Sequence, residues 1–63
     1  MPERAILRDR FTQMQATAAS AAAEYQRLAQ AADSDQQGVL QRLASKELRN
    51  VELTERLLEI VEE

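Results

Sequence analysis

The sequence predicts an all-α fold, an antiparallel helical hairpin that associates as a homodimeric four-helix bundle. Three observations carry this. Ala, Leu, Glu, Gln and Arg dominate, and all are good helix formers. One cluster of turn residues, Asp33-Ser34-Asp35, separates two long stretches whose only interior breaker is Gly38, close to the start of the second. Both stretches space apolar residues as a helix does, and together they carry more apolar surface than one hairpin hides.

The first helix is expected from about 2 to 32 of a single domain spanning 1–63. Pro2 suits a first turn, where its missing N–H costs nothing, and Glu3 lies beside the positive helix end. Leu7, Phe11, Met14, Ala18, Ala21, Tyr25, Leu28 and Ala32 alternate steps of four and three, a heptad seam that keeps one stripe turned to a partner. Ala16, Ala18, Ala19, Ala21, Ala22 and Ala23 make the middle of the helix thin enough for close backbone approach.

The turn is expected at 33–35, within a connection of roughly three to five residues that sets the helices antiparallel. Asp33, Ser34 and Asp35 are all N-cap types, and Ser34 with Gln37 fits a capping box. The second helix is expected from about 35 to 61. At ~100° per residue, Leu40, Leu43, Ala44, Leu48, Val51, Leu58 and Val61 share a face, with Leu57 at its margin. Leu53 and Ile60 fall opposite and read as ordinary exposed residues. Glu52 with Arg56 and Glu24 with Arg27 have the spacing of helical ion pairs. Glu59, Glu62 and Glu63 sit unfavourably at the negative helix end, so the last turn is expected to fray.

A chain of 63 residues buries too little to be stable easily by itself. It has no Cys for a disulfide and no His, the commonest metal ligand and neutral-pH base. Association is the remaining source of stability, so the expected partner is the chain itself, as a homodimer or higher assembly, with a further protein partner possible. The expected oligomer seam is Leu7, Phe11, Met14, Ala18, Ala21, Leu28, Leu40, Leu43, Ala44, Val51 and Leu58. Net charge is −3 and no basic face stands out, which argues against nucleic acid. An RNA-binding reading rests only on Arg4, Arg8 and Arg10. No apolar run reaches the roughly 20 residues of a membrane span, and the start lacks a signal-peptide core, so a cytoplasmic protein is expected. With no His, Cys or Gly-rich phosphate loop, no enzyme is expected and no cofactor is called for.

Glu47 breaks the pattern. It projects near the centre of the second helix's apolar stripe, with Thr54 one heptad on and Asn50 on the shoulder. A carboxylate there binds a metal, pairs with a polar group such as the Tyr25 hydroxyl or another chain's Asn50, or escapes to the rim if a small rotation puts Leu48 in its place. An internal polar layer of Tyr25, Glu47, Asn50 and Thr54 that sets register and copy number is the expectation, with Glu47 as the candidate metal ligand.

The segments Glu24–Asp35 and Leu40–Leu53 resemble half of a ferritin-like bundle of the rubrerythrin or short encapsulated-ferritin type. In that family a Tyr late in the first helix precedes a short acidic turn, and the next helix carries Glu-x-x-His. Tyr25 matches the Tyr and Glu47 the Glu, whereas Asn50 stands in the His position and Ala18 where a first-helix Glu ligand belongs. The resemblance therefore implies either iron or another divalent metal held by a dimer or larger ring, or a relative that has lost its metal centre.

Overall fold

A computed structural model describes residues 2–63, with side chains from Glu3 onward. Two helices, α1 (Pro2–Ala31) and α2 (Ser34–Glu62), lie antiparallel in an envelope of 50 × 14 × 10 Å. The connection is shorter than expected, only Ala32 and Asp33. No residue of it takes a positive φ.

The capping also differs from the sequence reading. Asp33, at φ −72 and ψ 172, is the N-cap, and its Oδ1 accepts the Gln36 N–H at 2.9 Å. Ser34 is already helical, and no Ser34–Gln37 box forms. A two-residue link needs the cap one position earlier, and the freed Gln37 side chain reaches back to donate to the Ala29 carbonyl at 3.1 Å. The Ala32 N–H donates to the same oxygen at 3.4 Å. One of α1's terminal carbonyls, which have no partner inside the helix, is thus satisfied by the start of α2. At the far end α2 runs to Glu62, and the Glu63 N–H donates to Ile60 O.

The side of α1 that meets α2 is Phe11, Gln15, Ala18, Ala22, Tyr25 and Ala29, continued by Ala32 of the connection, all buried or half-buried. This too is a heptad seam, and it shares every second position with the one expected. It is rotated so that Gln15, Ala22 and Ala29 replace Met14, Ala21 and Leu28 at its centre. Met14 is 52% exposed, Leu7 47% and Leu28 40%, so the bulky half of the expected seam lies on a flank of the hairpin. On α2, Leu40, Leu43, Ala44, Glu47, Val51, Thr54, Leu58 and Val61 pack inward, whereas Leu48 stays outside.

The buried residues are Ala18, Ala22, Ala29, Ala44 and Thr54, and no large side chain is fully buried. Small side chains bring the backbones close, and Gln15 spans the gap to donate to Val51 O at 3.4 Å. Close approach removes little apolar area from water. A compact monomer of this mass exposes about 4,100 Å². This chain exposes 4906 Å².

Candidate functional site

The exposed apolar residues are not scattered. For two antiparallel helices the flank at lower helical angle on each points to the same side of the pair. On α1 that flank holds Leu7, Met14, Ala21 and Leu28; on α2 it holds Val39, Leu43, Leu53, Leu57 and Ile60. A groove of about 700 Å³ joins them at mid-length, with Met14, Thr17 and Ala18 along one wall and Asn50, Leu53 and Leu57 along the other. Nearer the chain ends Leu7 continues the surface beside Ile60 and Val61. Leu53 and Ile60, set aside in the sequence reading, belong to this face. The opposite flank carries Gln26, Gln30, Gln37, Gln41 and Ser45, with Leu48 the one large apolar residue there.

Polar residues enter the groove at three places. Arg10 and Gln13 stand at one end, Thr17 faces Asn50 near the middle, and Glu47 and Thr54 lie on its floor. Thr54 is buried, and its hydroxyl lies 2.9 Å from both the Asn50 and Val51 carbonyls of its own helix, so it has no donor left for a cross-helix bond. Glu47 is half-buried and has no side-chain hydrogen bond among the described residues. Leu48 does not take its place, because the helix is not turned that way. Tyr25 is half-buried but is not among the residues that line the groove. It sits further toward the turn than Glu47, and no hydrogen bond joins it to Glu47 or Asn50 among the described residues. Of the four residues expected to form a polar layer, Glu47, Asn50 and Thr54 line one groove, with Asn50 exposed, and Tyr25 lies further along the hairpin.

Glu47 is the one carboxylate lining the groove. Among the described residues no three Asp or Glu side chains gather as metal ligands would. Arg10 lines the groove, whereas Arg4 and Arg8, one helical turn apart, lie together on another side of α1.

The surface ion pairs fall partly as expected. Arg27 binds Glu24 through two hydrogen bonds, and its guanidinium holds the Glu24 carboxyl below the ordinary carboxylate value. Arg56 pairs with Glu59, three residues on, at 3.0 Å rather than with Glu52. The charges of α2 are segregated. Arg42, Arg49 and Arg56 recur at heptad spacing along the outer edge of the apolar flank, Lys46 stands within the flank on the stripe of Val39, Leu53 and Ile60, and Glu52, Glu55, Glu59 and Glu62 lie on the other side.

Among the described residues no helix is long and apolar enough to cross a membrane. Comparison with protein-family models, curated proteins and solved structures finds no match.

Proposed function

We propose that this chain is a non-catalytic interaction module of the cytoplasm. Two hairpins close over the groove as a homodimeric four-helix bundle, which scaffolds or docks onto another protein. The observation that carries the reading is the one-sided excess of surface. Relative to a compact monomer the chain exposes roughly 800 Å² too much, about one partner's share of a standard protein interface. The large apolar side chains that make up this excess lie mostly on one face, as association of two copies requires.

Sedimentation equilibrium at micromolar concentration tests it. The expected particle has twice the 7.1 kDa chain mass, and its melting temperature rises with concentration. A compact, fully folded 7.1 kDa monomer would overturn the proposal.

A second reading, metal binding of the ferritin-like kind, draws support from Glu47 and Asn50 lining one groove, since a dimer brings two such pairs together. Its test is a titration with Fe(II), Mn(II) and Zn(II). Heat release and a raised melting temperature are expected if it holds, and neither if it fails.

A further inference from the structure

We infer that the two copies pack with their turns at the same end of the bundle, α1 of each lying over α2 of the other, and that Glu24 is the residue that sets this orientation. The inference rests on the homodimer reading and adds the geometry that reading leaves open.

Two two-fold arrangements cover the apolar flank fully, and they differ in what the rims meet. The register within a chain follows from its contacts. Gln15 is level with Val51 and Ala29 with Gln37, while Leu7 lies beside Ile60 and Val61. Continued along the hairpin, this register sets Thr17 level with Arg49 and Asn50, and Glu24 level with Arg42 and Leu43.

If the symmetry axis runs along the bundle, levels are preserved and α1 faces the partner's α2. Leu7 then meets the partner's Ile60, Met14 the partner's Leu53 and Leu28 the partner's Val39. Glu24, on the rim of α1, stands over the partner's Leu43, between the partner's Arg42 and the partner's Lys46. The symmetric contact repeats this on the other side. Arg42 and Lys46 have no ion-pair partner within the chain among the described residues, whereas Glu24 shares its exposed carboxylate with Arg27 of its own chain.

If the axis runs across the bundle instead, α2 lies on the partner's α2, pivoting near Asn50. Arg42, Arg49 and Arg56 of α2 form its outer, cationic side, and Lys46 stands beside them on the flank. Stacking that side on itself sets Arg49 against the partner's Arg49, and Lys46 close to the partner's Arg56. One attraction, Arg10 with the partner's Glu24, opposes these repulsions. Juxtaposed like charges exclude arrangements more strongly than rim pairs favour them. The rim charges therefore distinguish the two arrangements.

Because the chain contains no Cys, single-cysteine variants report the orientation directly. Thr17→Cys and Asn50→Cys are both exposed positions facing the groove. Mixed under mild oxidation, they are expected to give mainly the crosslinked heterodimer, while Asn50→Cys alone stays largely uncrosslinked because the two Asn50 sites sit on a diagonal. Rapid self-crosslinking of Asn50→Cys would establish the crossed arrangement. That outcome refutes the orientation while leaving the dimer intact. A dimer by sedimentation that crosslinks in neither pairing also refutes it. A monomer by sedimentation removes the dimer reading and this inference together.

A charge exchange gives an independent check. Glu24→Lys mixed with the Arg42→Glu/Lys46→Glu double variant should form heterodimers in preference to either homodimer, because every rim pair is then attractive. A statistical mixture refutes the role given to Glu24.

Discussion

Leu53 and Leu48 are almost equally exposed in the isolated hairpin, at 49% and 45%, yet they lie on opposite flanks. Truncating each to Ala separates association from intrinsic hairpin stability. Burying a whole leucine side chain is worth about 1.5–3 kcal/mol. With half of Leu53 already covered by its own chain, the partner supplies about 1 kcal/mol per copy, hence about 2 kcal/mol per symmetric dimer. At 1.4 kcal/mol per decade, Leu53→Ala should raise the dimer Kd roughly 25-fold. Leu48→Ala, among the glutamines, should leave Kd within about twofold. Sedimentation equilibrium over a dilution series measures both, and melting curves at two concentrations show whether the loss lies in association. If the two variants shift Kd equally, or if neither melts in a concentration-dependent way, the assignment of the interface to this flank is wrong.

Three further substitutions probe the hairpin and its groove. Gly38→Ala should raise stability by about 0.5–1 kcal/mol, since the position is helical and an added Cβ would come no nearer than 3.9 Å, to Arg42 Nη1; thermal or urea melts check it. Asp33→Ala should cost about 1 kcal/mol by orphaning the Gln36 N–H, while Asp33→Asn keeps the cap and most of the stability. Glu47→Leu should strengthen the dimer and raise its melting temperature if the carboxylate serves only to set register, and should abolish any melting shift caused by a divalent metal if it is a ligand.

The two helices and the single break between them were legible because each rests on local chemistry. Helix formers run without interruption, and three capping residues stand together at Asp33–Asp35. Which of the three caps the helix was not legible, since it depends on how short a link the packed helices permit. The facing side of α1 was the larger omission. Phe11, Ala18, Tyr25 and Ala32 belong to two heptad seams at once, one continued by Leu7, Met14, Ala21 and Leu28, the other by Gln15, Ala22 and Ala29. Counting apolar bulk selects the first. The chain turns the second toward α2, because alanines admit the close approach that a two-residue connection requires. The steps from Leu53 to Leu57 to Ile60, four and then three, were the available sign that α2 also has a second face.

The two seams divide the work of the fold. The alanine seam gives close backbone contact but little buried area, so the helices pair without a strong hydrophobic drive of their own. In the proposed dimer the leucine-rich flank supplies that drive by meeting another such flank. Thr17, Glu47 and Asn50 interrupt it at mid-length, and this restricts how two flanks can meet. Sliding one copy by a helical turn would carry Glu47 beneath apolar side chains with no polar group to answer it, a penalty larger than any single leucine contact restores. A flank of uninterrupted leucine would bind more tightly and in several registers. In the proposed dimer such a polar centre would trade some affinity for one alignment, so that each assembly presents the same outer surface.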